Sequence, residues 1–325
     1  KRTAFLIAFL TGIYPSILLY SKYTWAETNL MVLPWVCLLL LLKIYGIEER
    51  HRGRDSIFLA VTVVYAYMSH QRGMVLILAV TLTLVCPQFT LQRMSCMRCV
   101  SHNTSCGSHS AIPYDEKKGI FWPAYLLTLG AGLLVDFILS GWQKTYVYAG
   151  AVMEHNTLRD FLKPELYRKL LSEEGLRVVL DTVVGWLFHS GASTFGCAFL
   201  GLLFMIGVVW RWLRGQERQE YGYLVVSLMG LFCYFGALAL GLLFFFQDLY
   251  GYFDGSRVER CDHLLFGRYL ESSVPILLFL GLTVLWGGKK GAGWRLRWMA
   301  LSLDVCVTLA TAFRLLPLMD HVSCY

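Results

Sequence analysis

A short polar segment near the C-terminus carries residue types that suit the binding of an anionic, hydroxyl-rich group. The segment 266–271 reads Phe-Gly-Arg-Tyr-Leu-Glu and lies between two long apolar runs. The guanidinium of Arg268 can pair with a phosphate through two parallel hydrogen bonds, while the phenol of Tyr269 and the carboxylate of Glu271 can hydrogen-bond sugar hydroxyls. The alternative is a membrane-boundary anchor, in which Arg268 snorkels to water and Tyr269 joins an aromatic belt. Both interpretations place the segment at a membrane interface.

An acidic residue near the N-terminus needs a partner. Glu27 borders the apolar run that starts at Leu30, and burial of its carboxylate costs several kcal/mol unless it is paired or protonated. A suitable partner is Arg72 or Arg268. The alternatives are that Glu27 or Asn29 caps a helix and that Arg72 is a headgroup anchor.

Two histidines are further candidates. His70 stands two residues before Arg72 and could assist a proton transfer, or it could be a hydrogen-bonded structural histidine. His189 lies within 185–193, where aromatic and small residues suit close helix packing, and it could face a cavity.

The ten cysteines divide into three groups. Five lie in apolar runs and are interpreted as small hydrophobic residues: Cys37, Cys86, Cys197, Cys233 and Cys306. Cys96-x2-Cys99 followed by Cys106-x2-His109 has zinc-ligand types, so a structural zinc site is one interpretation and an ordinary loop with unusually tight spacing is the other. Cys261 and Cys324 could form a disulfide.

These residues belong to a chain with the composition of a polytopic membrane protein. Hydrophobic residues make up 56% and aromatic residues 15% of the 325 residues, and the mean hydropathy is +0.53. We predict an all-α transmembrane helical bundle that forms a single domain over 1–325. It should have about nine spans: 4–20, 29–45, 56–69, 74–90, 119–139, 181–210, 221–246, 273–287 and 298–318. The third span is short and could form a re-entrant hairpin with the fourth.

Basic residues predict the orientation of the spans. They concentrate in alternating connections, which we assign to the cytoplasm: 43–55, the loop 91–118, 211–220 and 288–297. The unusual polar residues then fall on the other face, in 25–29, 69–73, 140–180 and 262–271. We therefore expect a multi-pass protein of the plasma or inner membrane with an extracytoplasmic active face. The net charge of +7 is mainly a topology signal, and no clustered basic and aromatic pattern indicates a nucleic-acid partner.

The long outer connection 140–180 predicts an interfacial helical segment. Its second helix should start at Lys163-Pro164, because proline is accepted in a first turn. Leu166, Leu170 and Leu171 should form the apolar face. Such a segment would lie on the membrane and wall one side of a lipid-facing groove.

The order of these landmarks resembles the GT-C glycosyltransferases, polytopic enzymes that use polyprenyl-phosphate-linked sugars. Residues 25–30 (Trp-Ala-Glu-Thr-Asn-Leu) are similar to a Ser/Ala-Glu-Asn-Leu pattern of a bacterial branch. Residues 67–73 resemble its His-x-Arg turn, and 267–271, followed by Pro275, resemble its Gly-Arg-Tyr-x-Glu segment.

The resemblance implies sugar transfer from a polyprenyl-phosphate donor, reached through the membrane lipid, to a lipid-linked glycan, a wall polymer or a protein. By this resemblance, Arg268 and Tyr269 would bind the donor phosphate, and Arg72 would be a second cation. Glu271 or Glu27 would bind the sugar or hold an arginine in place. His70 and Glu27 are supporting candidates in catalysis. The cofactors left open are a divalent metal and the structural zinc.

One departure from the family pattern leaves the catalytic base unassigned. Members of this fold carry a catalytic Asp or Glu in a large first extracytoplasmic loop, whereas the first outer loop here, 21–29, is short and offers Glu27. We therefore expect the chain to be the C-terminal part of a larger module, with the base in a missing N-terminal segment or a partner subunit.

Two other classes remain as alternatives. A transporter or flippase for a lipid-linked or anionic substrate would also need charge pairs within its spans. A membrane O-acyltransferase would use His70 or His189 in a deep tunnel. The clustering of polar residues on one predicted face favours the transferase.

Overall fold

The computed structural model describes residues 2–14, 26–46, 51–86, 120–147, 163–215, 221–253, 261–265, 267, 269–287 and 292–319. This part of the chain is 91% helical and contains no strand. The predicted all-α fold class is therefore confirmed for the described residues.

Twelve α-helices are numbered here in chain order. The first six are α1 Arg2–Gly12, α2 Ala26–Gly46, α3 Arg52–Ser69, α4 Gln71–Cys86, α5 Trp122–Trp142 and α6 Pro164–Leu170. The others are α7 Glu173–Ala192, α8 Cys197–Leu213, α9 Tyr221–Phe253, α10 Val274–Gly287, α11 Ala292–Ala310 and α12 Leu316–Met319. Helix α4 opens with the 3-10 turn Gln71–Gly73, and the π-helical turn Thr311–Leu315 joins α11 to α12.

Four helices in the described part of the chain are long and apolar enough to cross a membrane: Glu27–Tyr45, Trp122–Val147, Gly222–Gly251 and Gly293–Leu318. The pair α7 and α8 makes a fifth if it is counted as one broken span. The shorter apolar helices α1, α4 and α10 have fewer residues than the roughly 20 that a full crossing requires. These helices are compatible with a multi-pass membrane protein, and the predicted count of about nine spans is not confirmed.

The predicted span 181–210 is not one straight helix, because the chain bends by 109° between α7 and α8, which form a broken span or a re-entrant loop. Gly196 takes a left-handed conformation with φ 74°, and its amide donates to the carbonyl of Gly191 at 2.9 Å. The hydroxyl of Thr194 donates to the carbonyl of Ser190 and accepts from the amide of Ala198. The turn thus satisfies its backbone groups without a continuous helix.

The central helix of the bundle is α9, because it belongs to both large hydrophobic clusters. One cluster joins α9 to α2, α3, α4 and α5 around residues such as Leu41, Val63 and Val225. The other joins α9 to α1, α7, α8 and α10 around Trp186 and Leu277. The two halves of the bundle therefore share one helix.

A third, smaller cluster packs the end of α9 against α6, α7 and the C-terminal helix. Its buried members are Leu166, Val178, Phe246, Leu249, Leu264 and Leu315. Helix α6 begins at Pro164, the position expected from the sequence. It ends within two turns, because Ser172 caps a new helix by accepting from the amide of Gly175. Leu171 is 70% exposed and does not join Leu166 on the apolar face, in contrast to the prediction.

Candidate functional site

Four separate connections of the chain meet at one end of the bundle, which is called here the site end. Glu27 lies in the first turn of α2, and Arg72 lies in the turn between α3 and α4. Tyr269 and Glu271 precede α10, and His189 lies near the end of α7. Because these residues are far apart in sequence, the packing of the bundle alone brings them together.

The innermost contact of the site is an ion pair between Glu27 and Arg72. Arg72 Nη2 donates to Glu27 Oε1 at 2.5 Å, and the two residues are 9% and 8% exposed. Burial of either charge alone would cost several kcal/mol, so the pair supplies the partner that Glu27 requires. Arg72 does not extend to the surface as a boundary anchor would.

His70 shapes the turn that carries Arg72. Its backbone is extended, and its Nδ1 accepts from the amide of Arg72 at 3.0 Å. Gly73 closes the turn by donating to the carbonyl of His70, and a Cβ at this position would lie 2.3 Å from the Ala66 carbonyl. Only glycine permits this close approach. The structure thus gives His70 a positioning role, with its second nitrogen as the protonated one.

The guanidinium of Arg72 also lies over an aromatic ring. Its central carbon is 4.5 Å from the ring centroid of Tyr269, and this ring packs against Phe244 and Phe245. A desolvated cation–π contact of this kind contributes about 2 kcal/mol. Arg72 Nε is buried and donates to no group in the described part of the chain. Glu27 and Tyr269 therefore fix the plane of the guanidinium while one donor has no protein acceptor there.

Glu271 forms a second polar contact at the site end. Its Oε1 lies 3.4 Å from Nε2 of His189, and the residue is 4% exposed. The other carboxylate oxygen, Oε2, is buried and accepts no hydrogen bond from the described residues. A buried acceptor of this kind is expected to have a ligand or water as its partner.

Trp186, Phe245 and Tyr269 form an aromatic wall beside this site. Trp186 is fully buried, and its Nε1 donates to the carbonyl of His263 at 2.8 Å. A Cβ on Gly241 would lie 2.7 Å from the Trp186 ring and 3.0 Å from Tyr269 Cβ. The absence of a side chain at Gly241 therefore lets α9 contact both residues directly.

The structure brings most of the predicted site residues together and leaves others untested. Glu27, His70, Arg72, Tyr269 and Glu271 all lie at the site end. The remaining predicted residues lie outside the described ranges: Arg268, Cys96, Cys99, Cys106, His109 and Cys324. The structural zinc and the disulfide therefore stay predictions. Where the structure is described, no group of three or more His, Cys, Asp or Glu residues could hold a metal ion.

Sequence reasoning did not select Trp186 as a site residue and treated His189 as an option only. The two residues are three apart in α7, which places them on one face of the helix. That spacing of an aromatic and a titratable residue at the end of an apolar helix is the signal that could have identified them.

A second ion pair lies beyond the aromatic wall. Arg314, in the π-helical turn, donates through Nε to Oδ1 of Asp181 in α7. Asp181 is 1% exposed, whereas the Arg314 side chain is 51% exposed. The pair fixes the C-terminal helix against α7.

Comparison with models of protein families, with curated proteins and with solved structures finds no match to this chain. The class that the fold supports is an all-helical protein with four or five helices able to cross a membrane, among the residues described. Function is therefore argued from the site itself.

Proposed function

We propose that the chain is a polytopic membrane glycosyltransferase of the GT-C type. It would move a sugar from a polyprenyl-phosphate-linked donor to an extracytoplasmic acceptor such as a lipid-linked glycan, a cell-wall polymer or a protein. The observation that carries the proposal is the buried guanidinium of Arg72, held by Glu27 and by the ring of Tyr269 with one donor unused among the described residues. The motif resemblance adds the reaction class.

The geometry suits a phosphate that leaves during the reaction. A guanidinium whose plane is fixed before substrate arrives stabilises developing negative charge without reorganisation. The pair of Glu27 and Arg72 is neutral overall, so attraction of an anion requires a further cation. The predicted phosphate ligand Arg268, adjacent in sequence to Tyr269, would supply that charge.

The proposal also includes the orientation and the number of membrane spans. The site would face the extracytoplasmic side of a plasma or inner membrane, and the shorter helices would bring the number of spans to about nine. The donor would enter laterally from lipid, because its polyprenyl chain is apolar.

A divalent metal remains an open cofactor of such a transfer. The carboxylates at the site end are Glu27, which is bound to Arg72, and Glu271, which contacts His189. In the described residues these groups do not form a set of three ligands. No step is therefore assigned to a metal.

A transporter or flippase is the second candidate, and the pair of Asp181 and Arg314 favours it. Arg314 lies in the apolar helix Gly293–Leu318, which is long enough to span a membrane. Paired charges within spans often mark a substrate or ion pathway. The two candidates differ in whether a covalent bond of the donor is broken.

Sugar transfer by the purified protein tests the proposal. Protein in lipid nanodiscs is incubated with a synthetic polyprenyl-phosphate sugar and an alcohol acceptor, and glycosylated product is quantified. Arg72→Lys keeps the charge but loses the planar fork, so turnover should fall on the order of 10²-fold. Arg268→Lys should impair turnover or donor binding, and Arg268→Ala should be worse.

The matched control is Arg54→Ala, at the opposite end of α3, where the side chain is 56% exposed. It should leave turnover unchanged. Full activity in both the Arg72 and Arg268 variants would reduce these residues to a structural role. Donor flipping across the bilayer without any glycosylated product would favour the transporter.

A further inference from the structure

The carboxylate of Glu271 has a geometry that the proposed binding of donor phosphate does not use. Its Oε2 is buried and lacks a protein partner among the described residues, while Oε1 lies 3.4 Å from His189 Nε2. An unsatisfied carboxylate oxygen in a buried position costs about 1–3 kcal/mol or more, so such an atom is uncommon without a ligand or a chemical role.

The position of Glu271 is fixed by its own backbone. The amide of Leu270 donates to the carbonyl of Gly267, and the amide and hydroxyl of Ser273 both donate to the carbonyl of Leu270. These bonds form a tight turn directly before α10. The carboxylate therefore extends from a rigid turn.

The position of His189 is equally fixed. Trp186, one turn before it, donates to the carbonyl of His263, and Ser190, next to it, accepts from the hydroxyl of Tyr234 at 3.3 Å. Both neighbours are buried, so α7 is held on each side of the imidazole. The contact between His189 and Glu271 is thus built into the packing of α7 against α9 and the turn before α10.

One further carboxylate lies beside this end of α7: Asp304 of α11, whose Oδ1 would be 2.5 Å from a Cβ on Gly191. Other elements around the pair supply few charges. The stretches 3–14 of α1, 197–210 of α8 and 221–247 of α9 contain no Asp, Glu, Lys, Arg or His. Arg72 contacts the ring of Tyr269, which stands two positions before Glu271 in the sequence, but its carboxylate partner is Glu27. Among the described residues, His189 is therefore the titratable group in contact with Glu271.

We infer that Glu271 is the proton acceptor of the transfer reaction, with His189 as the positioning residue that contacts its other carboxylate oxygen. The inference rests on the proposed function. The acceptor hydroxyl loses its proton to Glu271 Oε2 as its oxygen forms the bond to the anomeric carbon of the sugar. The bond from that carbon to the phosphate oxygen breaks, and its electron pair leaves with the phosphate near Arg72.

The assignment connects base and cation through the turn that carries Tyr269. The ring of Tyr269 carries the guanidinium of Arg72, and Glu271 follows two positions later in the same turn. A sugar bound between the phosphate and the acceptor would then lie near both Glu271 and Arg72 without a rearrangement of the fold. This arrangement supplies the base from within the described residues.

The test is azide rescue of a neutral variant. Glu271→Gln keeps the size of the side chain but removes the base, so kcat with an alcohol acceptor should fall on the order of 10²–10⁴-fold while donor binding stays unchanged. Azide is an anionic nucleophile that needs no deprotonation, so it should restore turnover in this variant as glycosyl azide. Azide should raise the turnover of the wild type only slightly.

Two further variants separate catalysis from structure. His189→Gln should lower kcat with a smaller change in KM, because it removes the imidazole that contacts Glu271 Oε1 and fixes the orientation of the carboxylate. Glu174→Gln, an exposed carboxylate in the first turn of α7, is the matched control and should behave as the wild type.

The possible failures are distinguishable. Unchanged turnover in Glu271→Gln, or a loss that azide does not restore, overturns the assignment of the base while the sugar transfer of the wild type still stands. A wild type that binds donor but transfers no sugar overturns the proposed function, and the base assignment with it. If Glu271→Gln does not fold, Glu271→Asp decides, because full turnover with a carboxylate one methylene shorter overturns the assignment.

Discussion

At the scale of single residues, the cost of burying charge explains the polar contacts of the site end. The sequence alone predicts that Glu27 needs a cation, because the residue precedes a long apolar run. It does not decide between Arg72 and Arg268, since that choice depends on which turn the bundle packs against α2. The structure gives the contact to Arg72, whereas the contact between Glu271 and His189 depends on the packing of α7 and was not predicted.

The burial of both partners predicts that the pair of Glu27 and Arg72 is sensitive to change on either side. Glu27→Gln and Arg72→Gln should each lower the free energy of unfolding by about 3–5 kcal/mol, because each leaves a buried charge without its partner. The double variant should lose less than the sum of the two. Denaturant unfolding in detergent micelles measures these values. Additive losses would show that the two side chains are not coupled.

The pair of Asp181 and Arg314 should instead respond asymmetrically, because only one partner is buried. Arg314→Ala leaves the carboxylate of Asp181 buried and unpaired, which should cost on the order of 3 kcal/mol. Asp181→Asn leaves a half-exposed guanidinium close to the end of the span Gly293–Leu318, where the long side chain can extend to the membrane interface, so the loss should be about 1 kcal/mol or less. Thermal unfolding of the two variants side by side checks the order. Equal losses would contradict this difference in burial.

At the scale of helices, hydrophobic runs predict where most elements lie but not how they are broken. The apolar run 181–210 contains Ser190, Gly191 and Ser193, which were interpreted as close-packing residues, and Thr194 and Gly196, which were not singled out. In the structure these small residues form the turn between α7 and α8. Hydropathy does not reveal such a break, because both flanking segments remain apolar and only the local hydrogen bonds of the turn favour the bend.

Glycines decide how closely α8 packs against α10. A Cβ on Gly201 would lie 2.0 Å from the carbonyl oxygen of Leu277, whereas a Cβ on Gly207, in the same helix, meets no atom within 4 Å. Gly201→Ala should therefore destabilise the protein by about 1–3 kcal/mol or more, because backbone must move. Gly207→Ala is the matched control and should be neutral or more stable by up to about 1 kcal/mol. Unfolding in detergent compares them, and equal stability of the two variants would contradict the close packing of α8 and α10.

At the scale of the whole molecule, charge is distributed unevenly between the two ends of the bundle. The site end contains the contacts of Glu27 with Arg72 and of His189 with Glu271, so its charges are largely balanced. The opposite helix ends carry basic residues: Lys43 in α2, Arg52 and Arg54 in α3, Arg211 in α8, and Arg295 and Arg297 in α11. Because basic residues favour the cytoplasmic side, this distribution predicts that the site end is extracytoplasmic.

Cysteine accessibility in intact cells tests this orientation with residues that the structure shows to be exposed. Leu171→Cys lies between α6 and α7 near the site end, and Arg54→Cys lies at the opposite end of the bundle. In a background whose native cysteines are replaced by serine, an impermeant maleimide should label position 171 in intact cells. It should label position 54 only after the membrane is permeabilised, because the reagent cannot cross the bilayer. Labelling of position 54 from outside would reverse the orientation of the bundle and place Arg72, Tyr269 and Glu271 on the cytoplasmic side. An extracytoplasmic sugar acceptor could then no longer reach them.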